Sequence, residues 1–258
     1  EMCGRDWSSD VCSSDLESRV PLASVTPLRG RPSLSQMDLF AGLPDRDMAL
    51  LDSRLPVVRW PRAASMPEPL SRPDHLYLVR EGRLALYERT APGHEIMISI
   101  LEAGSIYSTL GASPPASVGA LDDSAVTPLS GRAIEGLIAR YPRLGRNLAE
   151  LLSDRVAMLR ETVALVSEMR VEDRLRARLH QLADRFGVAT RHGVELRLDL
   201  THAQWASLVG ASREAVTTAF SKLKGSGSVE VEGRSITIPW DVVRAREDAL
   251  AAAAADDL

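Results

Sequence analysis

The chain has 258 residues, room for two domains of ordinary size and a connector, with no apolar run near the ~20 residues that cross a bilayer. Its net charge of −4 hides an asymmetry: residues 171–246 hold 12 Arg and Lys against 9 Asp and Glu, while residues 247–258 hold four acids and no base. Cys3 and Cys12 both lie near the start, which excludes a disulfide framework and an iron–sulfur centre and makes a cytoplasmic setting the expectation.

Residues 1–16 have no periodicity and residues 17–35 are rich in Pro, Ser and Arg, so residues 1–36 are read as a disordered or artefactual N-terminus. Order is expected from Met37. Leu39, Phe40, Leu43, Leu50, Leu51 and Leu55 supply apolar positions, and Asp45 is the expected cap of a helix running to about Arg54. Short alternating runs follow at Val57–Trp60, His75–Arg80, Arg83–Glu88, Glu95–Leu101 and Ala125–Leu129, with Gly82, Gly93 and Gly104 as turn residues. That spacing predicts an antiparallel β-roll or barrel, over residues 37–140.

Ala133–Ala139 reads as a short helix, and Pro142 suits the first turn of a long one. Within it Leu152, Val156, Leu159, Val163 and Val166 are spaced alternately by three and four, an a/d seam of about two and a half heptads. A core helix of a monomer would show the same residues. The regularity of the stripe favours a dimerisation helix over residues 141–170, with the charge cluster Arg170–Arg174 as a hinge. Val171, Leu175, Leu179, Leu182 and Phe186 form the next helical stripe, closed by Gly187, and Val194–Leu198 reads as a strand.

Residues 200–223, LTHAQWASLVGASREAVTTAFSKL, read as two short helices broken at Gly210. Thr201 with Gln204 forms a capping-box pattern, and Ser212 is a second N-cap. Val216, Phe220 and Leu223 recur on one side, with Arg213, Glu214, Thr217, Thr218 and Ser221 on the other. A helix-turn-helix with a polar outer face fits a major groove. Val229–Val231, the turn Glu232-Gly233-Arg234 and Ile236–Ile238 then form a hairpin, which makes residues 171–246 a winged helix with Arg234 at the wing tip. Residues 247–258 are a tail, and Asp241–Ala255 is a terminal helix or a fraying Ala-rich segment. The fold class is therefore α+β: β-roll, long helix, winged helix-turn-helix.

These pieces resemble the CRP/FNR family of bacterial transcription regulators over about residues 37–246. The resemblance is carried by HLYLVREGRLALYE (75–88), LEAGSIY (101–107), ALDDSAV (120–126) and LVGASREAVTTAFSKLKGSGSVEVEGRSITI (208–238). It implies an effector-sensing β-roll, a homodimer, a reader of palindromic double-stranded DNA, and RNA polymerase as a further partner. The cyclic-nucleotide members of the family use a cassette resembling Gly-Glu-Leu and then Arg-Ser/Thr-Ala. Here Thr109 of Ser108-Thr109-Leu110 stands where that Glu belongs, and Pro114 stands where the Arg belongs. A buried phosphate without its cation is costly, so cyclic-nucleotide binding of the usual kind is not expected. Ser105, Tyr107, Ser108, Thr109 and Ser117 are the candidate lining of a pocket for a neutral effector, the alternative being that they only finish turns.

The resemblance aligns Arg213 with an Arg that reads guanine and Glu214 with a Glu that accepts from cytosine, chemistry those side chains suit. Thr218 stands where the family often carries another Arg. Thr201, Ser212 and Ser221 are candidate phosphate donors, Lys222 and Lys224 add charge, and Arg234 grips the backbone. His75, His94, His180, His192 and His202 lack metal-ligand spacing, so no metal, haem or other cofactor is expected. No nucleotide-binding loop, zinc-protease motif or triad spacing appears, which argues against an enzyme. The competing reading is a small-molecule sensor or protein-interaction module whose DNA reader is weak.

Overall fold

The computed structural model describes residues 33–90, 94–111, 117–168 and 170–256. The chain divides into two compact units, residues 1–89 with 98–157 and residues 90–97 with 158–258. No helix among the described residues is long and apolar enough to cross a membrane.

The first unit starts earlier than the expected Met37. Ser33 and Gln36 close a capping box around a 3-10 turn, Leu34–Gln36, whose Leu34 is fully buried. A second 3-10 turn covers Asp38–Phe40. Residues 1–32 lie outside the described residues. Helix α1 spans Asp45–Arg54, as expected, but its N-cap is Pro44, and Asp45 sits instead in the first turn, where a carboxylate complements the helix dipole.

Seven strands follow: β1 (Val58–Trp60), β2 (His75–Glu81), β3 (Leu84–Thr90), β4 (His94–Leu101), β5 (Ile106–Ser108), β6 (Ser117–Ala120) and β7 (Ser124–Ser130). They form two antiparallel sheets, ordered β1-β7-β2-β5 and β4-β3-β6. Strand β2 pairs with both β5 and β7 and is buried on both faces. Tyr77 and Val79 enter the interior of the roll with Trp60, Leu84, Leu101 and Val126. Leu76 and Leu78 face a second cluster with Phe40, Met48, Ile134 and Leu137. Two-sided burial explains why HLYLV reads as a continuous apolar run. At the β2–β3 turn Gly82 has φ +75°, and a Cβ there would lie 2.4 Å from Ser124 Oγ.

One buried charge was not legible in the sequence. The fully buried Arg80 sends a guanidinium nitrogen to within 2.5 Å of Asp52 Oδ1, tying β2 to α1, with Thr127 Oγ1 at 3.5 Å.

Helix α2 (Gly131–Arg140) is capped by Ser130, whose Oγ accepts from Ala133 N–H at 3.2 Å. Helix α3 spans Pro142–Glu168. Its Leu148 and Leu151 pack on the core of the first unit. The predicted seam lies elsewhere on the helix: Leu152, Val156 and Val163 are 50%, 56% and 66% exposed and Leu159 is half-buried. The side chain of Val166 lies outside the described ones.

The second unit holds α4 (Val171–Phe186), β8 (Gly187–Ala189), β9 (Gly193–Leu196), α5 (His202–Val209), α6 (Arg213–Gly225), β10 (Glu230–Glu232), β11 (Ser235–Pro239) and α7 (Trp240–Asp256). Its sheet is ordered β10-β11-β9-β8. Gly187 does end α4, yet in extended backbone that starts β8 directly. A Cβ there would come within 2.3 Å of Ala183 O and Val194 Cγ1. The boundary expected between residues 246 and 247 falls inside α7, a continuous helix.

Candidate nucleic-acid interface

The turn between α5 and α6 is built by three local devices. Thr201 Oγ1 accepts from Gln204 N–H at 3.2 Å while Gln204 Oε1 accepts from Thr201 N–H at 2.8 Å, the expected capping box. Gly210 ends α5 with φ +62°, and Arg174 donates to its carbonyl at 3.2 Å. Ser212 Oγ accepts from Ala215 N–H at 3.2 Å and starts α6.

The inner face of α6 buries Val216, Ala219, Phe220 and Leu223. Trp205 meets the Phe220 ring edge-on at 5.6 Å, and His202 stacks on it from the exposed side at 5.4 Å. Each large apolar side chain buried here contributes about 1.5–3 kcal/mol, so this face fixes the roll of the helix. Arg213, Glu214, Thr217, Thr218, Ser221 and Lys222 consequently all stand exposed on the other side.

The hydroxyls on that face differ from their sequence reading. Thr217 Oγ1 donates to Arg213 O at 2.9 Å, Thr218 Oγ1 to Glu214 O at 3.0 Å and Ser221 Oγ to Thr217 O at 3.0 Å. Each is engaged by the carbonyl one turn back. Thr201 likewise donates to Gln204 Oε1 at 3.1 Å. Of the expected phosphate donors, Thr201 and Ser221 therefore have their protons committed, whereas the Ser212 hydroxyl only accepts from its own helix and keeps its proton.

Two of the cations, Arg234 and Lys222, are also engaged. At the wing, Gly233 turns the hairpin with φ +60°, and Arg234 meets Asp199 Oδ1 at 2.5 Å. Lys222 Nζ lies 3.6 Å from Glu172 Oε2 on α4. Sequence reasoning missed both acidic partners, since neither Glu172 nor Asp199 has a motif spacing to the cation it holds. His202 was passed over as well: its Nδ1 lies 2.9 Å from Thr217 Oγ1.

The first unit contains a cavity of about 780 Å³, a size that suits a small ligand. Met66, Leu70, Leu86, Ile106 and Val118 give it apolar walls, Tyr107, Ser108, Thr109 and Ser117 join them, Glu88 and Arg89 bring charge from β3, and Leu152 and Arg155 line it from α3. Ser105 is not in the lining; its Oγ accepts from Glu102 N–H at 3.1 Å, a turn contact. Thr109 Oγ1 donates to Arg72 O at 2.8 Å and accepts from His75 N–H at 3.1 Å, and Ser108 Oγ accepts from Leu110 N–H at 3.0 Å. Tyr107 stacks on Tyr77 at 4.5 Å and reaches Leu70 O at 3.3 Å. Burial raises both phenols above their ordinary range, Tyr107 further, with the neighbouring Tyr77 adding to the effect. Pro114, where the resemblance would require a phosphate-binding Arg, lies outside the described residues.

Residues 173–239 match the family model of the Crp-like helix-turn-helix domain. The chain is 28% identical over 211 residues to the CRP-like cAMP-activated global transcriptional regulator of Mycobacterium tuberculosis, covering 80% of this chain and 93% of that one. It is 26% identical over 166 residues to the fumarate and nitrate reduction regulatory protein of Vibrio cholerae, covering 63% and 66%. The chain is similar to CRP/FNR regulators and carries a Crp-like helix-turn-helix domain. A mutant of CooA from Carboxydothermus hydrogenoformans has the same fold, with a TM-score of 0.64 at 24% identity over 75% of this chain and 87% of that one. The helix-turn-helix of α5 and α6 thus lies within the segment matched by the family model, and the relatives named are regulatory proteins.

Proposed function

We propose that the protein is a homodimeric, sequence-specific transcriptional regulator that inserts α6 into the major groove of a palindromic DNA site. The observation that carries this is the exposed face of α6, where Arg213 and Glu214 open the helix at the end that reaches base edges in this docking mode. Arg213 reads guanine through O6 and N7, Glu214 accepts from cytosine N4, and the Ser212 hydroxyl, Lys222, Lys224 and Arg234 hold the phosphates. The exposed seam Leu152, Val156 and Val163, with Leu159 and Val166 in register, is the dimer contact. It pairs two readers for half-sites about 34–36 Å apart. Its action on transcription runs through RNA polymerase.

The β-roll cavity is the sensor. Its lining sets Glu88, Arg89 and Arg155 beside the apolar walls, and Thr109, in the place of the cassette Glu, has its hydroxyl held by backbone groups, which speaks against a cyclic nucleotide bound in the usual way.

The deciding experiment selects bound sequences from random duplex DNA and titrates them with salt. A palindrome is expected, with affinity falling steeply as salt rises. Arg213→Ala should cost about 1–3 kcal/mol and relax one base pair, while Arg234→Ala weakens all duplexes alike. A protein that selects no sequence, or whose binding ignores salt, acts by protein contacts instead.

A further inference from the structure

We propose that α6 reads thymine through the methyl groups of Thr217 and Thr218 rather than through their hydroxyls. This rests on the reading of α6 as the DNA-contacting helix. Both side chains are exposed on its outer face. Thr218 Oγ1 donates its single proton to Glu214 O, and Thr217 Oγ1 donates to Arg213 O. A threonine in a helix divides between two χ1 rotamers, and a bond to the carbonyl one turn back selects between them. With its one proton given to the helix backbone, neither hydroxyl can donate to a base; the oxygen keeps only acceptor capacity, and the methyl group is the apolar part that each side chain offers a partner. In the major groove the apolar feature is the C5-methyl of thymine, which a threonine methyl complements by contact.

His202 makes Thr217 the more rigid of the two. Its ring is fixed against Phe220 by stacking at 5.4 Å, and its Nδ1 lies 2.9 Å from Thr217 Oγ1. That hydroxyl oxygen is therefore held from two sides, by the Arg213 carbonyl and by the imidazole. His202 is a positioning residue, acting on a base pair through Thr217.

The test uses the full chain and duplexes it selects from a random pool. Each thymine of the selected half-site is replaced by deoxyuridine, which keeps the O4 acceptor and removes only the methyl. Binding should weaken about fourfold at one or two of these positions, the fold-change expected for one buried methyl group. Thr218→Val should keep the preference for thymine over uracil at its base pair, and Thr218→Ser should abolish it. Thr217→Ser should abolish it at the other position. His202→Ala should erode it there and leave the Thr218 base pair untouched, a pattern that general loosening of the domain would not give. Equal affinity for thymine and uracil at every position would overturn the proposal, as would a selected half-site without thymine. The reverse pattern at 218, Ser retaining the preference and Val losing it, would show that the hydroxyl is the reader. If no sequence is selected at all, the DNA reading itself falls and this proposal falls with it.

Discussion

Asp199→Asn should make the protein bind DNA more tightly. In the free protein Arg234 is paired with Asp199 at 2.5 Å, with side chains 61% and 30% exposed. A pair this exposed contributes only about 0–1 kcal/mol to folding, so the substitution leaves the domain intact. At a phosphate, however, a guanidinium with a carboxylate beside it presents less than its full charge. Each fully effective cation steepens the dependence of log K on log salt by about 0.9, which between 50 and 200 mM salt is about 3.5-fold in affinity. Removing the Asp199 charge should therefore steepen the slope by up to about 0.9 and raise low-salt affinity a few-fold, on cognate and scrambled duplexes alike. Fluorescence anisotropy of a labelled duplex across that salt range reads both quantities. The gain must vanish when Arg234→Ala is added, because the effect is assigned to that side chain alone. An unchanged slope, or a gain that persists without Arg234, would refute the assignment of the wing tip to phosphate contact.

Three other outcomes are expected. Asp52→Ala removes the carboxylate beside the guanidinium of the fully buried Arg80 and should cost about 3–5 kcal/mol in urea unfolding; a loss below ~1 kcal/mol would show that other groups hold the charge. Burial, chiefly, and the nearby Arg246 and Arg176 hold the pKa of His180 below its ordinary value, against a smaller opposing effect of Asp184. The unfolded chain then binds the proton more readily, so His180 makes stability fall as pH drops through ~6.5, by at most about 1.4 kcal/mol per pH unit; His180→Gln should flatten this dependence between pH 7.5 and 5.5, and an unaltered slope would refute it. Val156 is 56% exposed, so Val156→Asp should change the stability of the single chain by no more than ~0.5 kcal/mol while sedimentation equilibrium shows monomers; a persisting dimer would remove the seam from the interface.

The elements with a strong local signal were legible in the sequence. Thr201 with Gln204, and Ser212 with Ala215, fix their caps through neighbours three residues away, Gly210 through its own left-handed backbone, and all three work as read. The wing followed from Gly233 between two apolar runs. Strands β5, β6 and β8 were not legible: at three or four residues they are too short to show a period, and only pairing with β2, β3 and β9 makes them strands. Leu34 was lost for a related reason, because its burial depends on the second core cluster and not on its own Ser-rich surroundings. The seam on α3 was ambiguous in principle, since a core stripe and an interface stripe share one spacing. Leu148 and Leu151 pack inward while Leu152 and Val156 stay exposed, which keeps the stripe out of the core of the first unit and leaves the interface to the dimerisation test above.

What a sequence states least well is where a hydroxyl proton goes, and both units of this chain turn on that point. Polar letters at 105, 108 and 109 suggested a polar pocket, and those at 217, 218 and 221 a hydrogen-bonding helix face. In each case the oxygen bonds a backbone group within its own unit. A donor already engaged, as at 109, 217, 218 and 221, gains little by exchanging one partner for another, because only the difference between the two bonds is available, whereas the Ser105 and Ser108 hydroxyls only accept and keep their protons. On the proposed reading of α6, discrimination on that helix then falls to groups without such a commitment: the methyls of Thr217 and Thr218 and the charged ends of Arg213 and Glu214. Changing the hydroxyl at 217 or 218 should matter less than removing the methyl beside it.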